Sequence, residues 1–368
     1  MNAVDAGEIR ARASGGDAEA QFQLAGLLDG EGRHEEAVQW LGKAAKAGHV
    51  AAMTALGTRM LVGRDAPMAP VEGTQMLLAA ARGGGAEAAA RLSVLAGAGA
   101  CTPQSWPTAL DCLQRAAELG WEPARAQLVV LAGDRALAAE ARNAADLPEL
   151  WKRLRESVDI AHWTAPPMLR AISETPHICT IDGALAEDAC DWIMTSLHGK
   201  VRPARVFDRA TGASRVERAR TNSAFEYDIV QADLVLLLAR ARIAAASGFA
   251  TNALENTNVL HYTVGQQFAR HFDFLEPNAP GFAREIARMG QRAATFLIYL
   301  NDDYEGGETD FPAIELRNKG RKGDGLFFRN TDASGAPDRL TVHAGLPPIS
   351  GEKWLLSQWI RDRAPAPA

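Results

Sequence analysis

Cysteine is scarce: four residues in 368, at Cys101, Cys112, Cys179 and Cys190. No two form a C-x-x-C, and the spacing of eleven within each pair fits no common zinc pattern. Buried, reduced thiols are the expectation. Basic tracts are also missing. Net charge is −6 and the pI is about 5.8, so neither nucleic acid nor a membrane surface is an expected partner. No run of about 18 apolar residues occurs, so no transmembrane helix is expected. The opening stretch MNAVDAGEIRARASGGDAEA has no apolar core, so no signal peptide is expected and the protein is expected to be cytoplasmic. What remains is an ordinary globular composition, 47% hydrophobic and 23% charged, long enough for two or three domains with a sizeable core.

The first third is Ala-rich and repeats itself. LGKAAKAGHVAAMTALG (41–57), LLAAARGGGAEAAARLS (77–93) and LQRAAELGWEPARAQLV (113–129) superimpose at a period of 36. Leu41, Leu77 and Leu113 align; so do Ala44, Ala80 and Ala116, and Ala52, Ala88 and Ala124. Gly48, Gly84 and Gly120 fall together where a helix would end, a position that favours a left-handed residue. A fixed period in the thirties predicts stacked helical hairpins, with small residues allowing close approach and Leu filling the seam. Over roughly 10–140 the pattern resembles the Sel-one-like repeats, relatives of tetratricopeptide repeats. That resemblance implies a solenoid whose concave face binds peptides or proteins. Residues 141–165 read as one further amphipathic helix running into a linker, and APPM (165–168) marks a boundary.

Beyond Pro176 the texture changes. HICTIDG reads as a strand, and the segment after it and ADLVLLLARARIAAASG read as helices. From residue 256 come short apolar runs separated by turn residues: NVLHYTV, RAATFLIYLN, ETDFP, GDGLFF, DRLTVHAG and KWLLSQWIR. Such a series predicts an antiparallel sandwich or jelly roll with helices on one face.

Within this half, HFDFL carries His271 and Asp273, and TVHAGLPPISGEKW carries His343 and, ten residues on, Lys353. Strand side chains alternate, so His271 and Asp273 point the same way and can touch one metal. A second His from a distant strand completes a two-His, one-carboxylate set that suits Fe(II) and leaves positions open. YTVGQQFARHFD, FLIYLNDDYEGGETDFP, KGDGLFF and VHAGLPPISGEKW follow in this order. Together, over roughly 175–362, they resemble the prolyl 4-hydroxylase family of Fe(II)- and 2-oxoglutarate-dependent dioxygenases.

The resemblance implies a multidomain α + (α+β) chain: a helical-repeat solenoid over 10–140, a helical linker over 141–170, and a double-stranded β-helix (jelly roll) with flanking helices over 171–364. It implies Fe(II), 2-oxoglutarate and O2, with ascorbate as a further cofactor. His271, Asp273 and His343 match the iron ligands. Lys353 matches the residue that pairs with the distal carboxylate of 2-oxoglutarate, and Tyr299 a hydrogen-bond donor to it. Tyr262 matches a tyrosine of the cosubstrate and substrate pocket, and Trp359 an aromatic on the last strand. Thr309 and Thr341 are further expected pocket residues. The implied reaction is hydroxylation of a prolyl residue in a peptide or protein, with the repeats helping to hold it.

Other residues read more plainly. His261 alternates away from the pocket. Asp302, Asp303, Glu305 and Glu308 lack calcium-loop spacing and read as a solvated turn. The Arg-rich segment 201–222 is expected to form a lid that orders over substrate. Iron and cosubstrate ligands do not choose the C–H bond. A non-prolyl side chain, a free small molecule, a non-catalytic repeat scaffold and an oxygen or 2-oxoglutarate sensor therefore remain open.

Overall fold

The computed structural model describes residues 3–143, 148–204, 206–207, 214–215 and 219–364. The chain divides into two compact units. One is Met1–Asp159 with Ile229–Leu237; the other is Ile160–Asp228 with Leu238–Ala368.

The first unit stacks antiparallel helices: α1 (Ala3–Ser14), α2 (Ala18–Gly30), α3 (His34–Lys46), α4 (Val50–Val62), α5 (Pro70–Arg82), α6 (Ala86–Ala98), α7 (Trp106–Glu118), α8 (Glu122–Ala132), α9 (Arg135–Asn143) and α10 (Pro148–Ser157). The repeat decides the packing. Leu41, Leu77 and Leu113 are all buried, as are Ala44, Ala80 and Ala116 one turn later. Gly48, Gly84 and Gly120 hold φ of +83°, +87° or +88°, the left-handed turn that ends one helix and starts the next. Between α4 and α5, a Cβ on Gly57 would lie 2.8 Å from the Gly73 carbonyl oxygen, so these helices touch backbone to backbone.

The single helix expected over 141–165 is instead α9, α10 and α11 (Ile160–Thr164). Helix α10 opens at Pro148 and buries Leu150, Trp151 and Leu154, so it belongs to the repeat unit rather than to a linker. Ile229 and Val230 pack on the cluster containing Leu61, Leu77 and Leu92. Arg91 donates to the Val230 carbonyl, and the Leu234 amide donates to Gln127 (3.0 Å).

The second unit contains strands β1 (Arg170–Ser173), β2 (Ile178–Ile181), β3 (Arg202–Pro203), β4 (Val206–Phe207), β5 (Ser214–Arg215), β6 (Ser223–Glu226), β7 (Asn258–Tyr262), β8 (Phe268–His271), β9 (Arg292–Tyr299), β10 (Glu305–Gly306), β11 (Thr309–Phe311), β12 (Leu316–Asn318), β13 (Gly325–Arg329), β14 (His343–Gly345), β15 (Pro348–Ser350) and β16 (Lys353–Arg361). Eight form one antiparallel sheet, in the order β1-β2-β13-β9-β16-β7-β6-β3. A second sheet runs β12-β11-β14-β8. This is the expected double-stranded β-helix. Strand β9 lies in the middle of the large sheet, with three strands on one side and four on the other, and is buried along nearly its whole length, which is why it reads as a continuous apolar run instead of an alternation.

Helices α12 (Glu187–Ser196) and α13 (Leu234–Ser247) stand where their apolar patterns place them. Arg240 on α13 donates to the carbonyls of Glu255 (2.8 Å) and Leu254 (3.1 Å), and to the side chains of Thr257 (2.7 Å) and Gln358 (3.0 Å). These bonds pin the helix to the sheet. Helix α14 (Pro280–Met289), between β8 and β9, is an element that the strand-and-turn reading missed. Ten of the 22 residues of the Arg-rich segment expected to form a lid, Arg205, Arg209 and Arg218 among them, lie outside the described residues.

Candidate active site

Register builds the candidate metal-ligand set. Strands β14 and β8 pair His343 with His271 across the small sheet, and the chain leaving β8 carries Asp273 two residues on. His271 Nε2 lies 3.5 Å from Asp273 Oδ1, and His343 Nε2 lies 3.5 Å from Asp273 Oδ2. Ligand atoms of all three fall within 4.8 Å of one another, the one such His/Cys/Asp/Glu group among the described residues.

Each imidazole donates Nδ1–H to a backbone carbonyl two residues earlier: His271 to Ala269 (2.9 Å) and His343 to Thr341 (2.9 Å). Both Nε2 lone pairs are thereby turned inward, the tautomer that metal binding requires. Burial and the neighbouring His271 push His343 down to about 4, so its ring is neutral at ordinary pH. Burial opposes ionisation of Asp273. The His343 and His271 rings and the Thr295 hydroxyl outweigh it and hold the carboxyl below the usual carboxylate range. Two imidazoles with Nε2 turned inward and one carboxylate fit a divalent metal.

Behind the ligands stands a relay that the sequence did not disclose. Asn330 donates to Thr295 Oγ1 (2.9 Å), which donates to Asp273 Oδ2 (2.7 Å). The signal was there in part: Thr295 is the one polar residue in the apolar core of β9. Phe268 stacks on His271 at 3.5 Å and 13°.

A pocket opens on the candidate ligands, lined by Tyr262, Thr309, Lys353 and Trp359 among others. Lys353 is wholly buried, donates to the Gly307 carbonyl (2.7 Å), and makes no ion pair among the described residues. Burial pushes it down to about 7. A buried ammonium with one neutral acceptor is costly, and an anion in the pocket would relieve it. Its nitrogen sits 5.4 Å from the Tyr262 ring centre and 5.7 Å from that of Tyr299. Metal ligands at one end and a buried cation at the other fit a dicarboxylate such as 2-oxoglutarate.

The remaining expected residues divide. Tyr262 and Trp359 line the pocket. Tyr299 is fully buried one layer back, its hydroxyl bonded to Thr309 Oγ1 (3.1 Å) and to Asn318, so Thr309 is the group it presents. Thr341 does not line the pocket. Its hydroxyl donates to the Asp338 carbonyl (2.6 Å), and its own carbonyl orients His343. It supports a ligand instead of touching cosubstrate. His261 faces outward, stacked on Trp354 and hydrogen-bonded to Glu352. Arg220, singled out only as part of the lid, is buried in the pocket wall, 4.5 Å over the Phe268 ring, with Nε donating to Asn222 (3.2 Å).

Residues 257–361 match the family described as the 2OG-Fe(II) oxygenase superfamily. A probable prolyl 4-hydroxylase 7 of Arabidopsis thaliana is 30% identical over 217 residues, covering 54% of this chain and 67% of the relative. A probable prolyl 4-hydroxylase 6 of the same plant is 31% identical over 218 residues, covering 54% and 74%. The chain belongs to the prolyl 4-hydroxylase family of Fe(II)- and 2-oxoglutarate-dependent oxygenases. Its N-terminal part is similar to a Sel1 repeat protein from Oxalobacter formigenes, at 27% identity over 33% of this chain and 96% of that one, with a TM-score of 0.31. This prolyl 4-hydroxylase-like unit draws its two candidate histidine ligands from paired strands of the small sheet, Asp273 from the chain leaving β8, and Lys353 from the large sheet.

Proposed function

We propose that the protein hydroxylates a prolyl residue of a peptide or protein, using Fe(II), 2-oxoglutarate and O2. The observation that carries this is the pairing of His271, Asp273 and His343 with a buried, unpaired Lys353 in one pocket. His271, Asp273 and His343 would hold the metal through Nε2, a carboxylate oxygen and Nε2. Lys353 would meet the distal carboxylate of 2-oxoglutarate, with Thr309 and Tyr262 beside it. When bound, the two cofactors supply the oxidation: O2 is reduced, 2-oxoglutarate becomes succinate and CO2, and one oxygen atom enters the substrate C–H bond.

The chain's own residues do the rest. Thr295 and Asn330 hold the Asp273 carboxylate in one orientation. Leu260, Leu297 and Leu355 line the pocket and keep water from its middle. Trp359 lies at the end where a substrate can approach. The repeat unit carries an open groove, lined in part by Phe22, His49 and Trp121, which suits an extended polypeptide. A reducing, cytoplasmic setting suits the four free thiols, and the membrane plays no part in this reading. Ascorbate would serve only to keep iron reduced.

The test is anaerobic titration of Fe(II) and 2-oxoglutarate, watched by the weak visible metal-to-ligand band. Pro-containing peptides and oxygen follow, with mass spectrometry for one added oxygen atom. The band should be lost in His271→Ala and much weakened in Lys353→Ala. A folded, metal-loaded wild type with no band would refute the cofactor reading. A band with no oxygenated peptide would refute the prolyl one.

A further inference from the structure

We propose that the cleft leading away from the metal ligands docks an acidic stretch of the substrate polypeptide, read by Arg284 and Arg288. This deepens the prolyl hydroxylase reading and rests on it. Asn258 and Trp359 line both the candidate metal-ligand pocket and a larger, more open cleft. A polypeptide that presents a residue to the metal ligands from this cleft crosses Trp359. The Trp359 ring is braced from one side by the Arg292 guanidinium, 3.6 Å from its centre, and offers a flat apolar floor.

The charge on the cleft wall is decided by which groups already have partners. Glu255 holds Arg292 with two bonds (2.7 and 2.9 Å) and also takes Arg361 (2.5 Å), which in turn reaches Glu285 (2.5 Å). Those four charges cancel. Glu226 accepts from Asn256 (2.9 Å). Arg284 and Arg288 are exposed on α14 and have no carboxylate or hydrogen-bond partner among the described residues. Two free guanidinium groups therefore stand over the cleft against one carboxylate, on a chain whose net charge is −6. The positive surplus is local to this lip.

Spacing narrows the ligand. Arg284 and Arg288 are four apart on one helix, so their Cβ atoms lie about 5–6 Å apart on one face. In an extended peptide, side chains two apart point to one face at about 6.6–6.8 Å. Two acidic residues separated by one residue therefore match the pair of arginines. Guanidinium–carboxylate contacts at a rim act on encounter and affinity and weaken with salt.

The experiment uses the full chain loaded with Fe(II) and 2-oxoglutarate without oxygen. Labelled peptides carry one central Pro flanked, on either side in turn, by Glu-x-Glu, Gln-x-Gln or Lys-x-Lys. Fluorescence anisotropy should show the best Glu-flanked peptide binding about tenfold tighter than the Gln-flanked one, with the advantage shrinking as salt rises. On admitting oxygen the same order should appear in KM. The double variant Arg284→Glu, Arg288→Glu should prefer Lys-flanked peptides, a gain that misfolding cannot produce. Equal binding of the three peptides, or a reversed variant that still prefers acid, would overturn the proposal. If the acidic preference holds for Pro and Pro→Ala peptides alike and no oxygen is added, docking stands and the prolyl reading fails. If all Pro peptides are hydroxylated with one KM, the prolyl reading stands and docking fails.

Discussion

Lys353 is the residue whose physics is most exposed to test. Its ammonium is disfavoured by burial, and its pKa is down at about 7 from an ordinary 10.5. Between those values the unfolded chain binds a proton that the folded apoprotein does not, so apoprotein stability should rise with pH across that window. Below about 7 the full cost of the buried charge is present. Lys353→Met should therefore raise the melting temperature of the apoprotein while abolishing 2-oxoglutarate binding, a pairing that a merely structural lysine would not give. Binding of 2-oxoglutarate calls for the protonated amine, so its dissociation constant should climb about tenfold per pH unit above 7. Calorimetry in two buffers of different ionisation enthalpy should register the proton taken up; a pH-independent constant would refute it. Thr295 offers a second residue-scale test. Thr295→Val keeps the shape but removes the donor to Asp273 and strands the Asn330 amide. Metal affinity should fall about 10- to 100-fold with little change in fold, measured by competition with a chelating dye.

Among elements, the repeat helices separate two uses of glycine. Gly84 sits at φ +88° with open space where a Cβ would go, so Gly84→Ala should cost only the left-handed backbone strain, about 1–2 kcal/mol. Gly57 has ordinary helical geometry, but its Cβ would meet the Gly73 carbonyl at 2.8 Å. Gly57→Ala should force α4 and α5 apart and cost more, about 2–3 kcal/mol. Denaturant unfolding of the two variants settles the order. The turn glycines were legible because they recur at the repeat period. The contact glycines were not, because only the crossing of two helices brings Gly57 against Gly73. Helix α14 escaped notice for a related reason: it is a single short element between two strands, outside any repeat, in a stretch otherwise read for strands.

At the scale of the molecule, every residue assigned to metal or cosubstrate lies in the second unit. Fe(II) with 2-oxoglutarate under anaerobic conditions should slow amide exchange in β7, β8, β9 and β16 and leave α2 to α8 unchanged. Protection of the repeat helices by cosubstrate alone would contradict that assignment. The four cysteines are free, so reductant should not alter either unit's exchange.

The sequence by itself determined the period of the repeats, the order of the apolar strands, and the candidate ligand set His271, Asp273 and His343 with Lys353 in the same pocket. These are one-dimensional facts: helical and strand periodicities repeat along the chain, and a metal needs particular atoms whatever surrounds them. Tertiary structure alone decided the rest. The Asn330–Thr295–Asp273 relay joins residues 22 and 35 positions apart through strands that meet only in the folded sheet. Thr341 and Tyr299 stand behind the pocket wall because pleat and register, not proximity in sequence, choose which side chain faces the cavity. The free charge of Arg284 and Arg288 depends on Glu255 and Glu285 having been taken by Arg292 and Arg361. That is a competition among partners, and no single stretch of chain contains it.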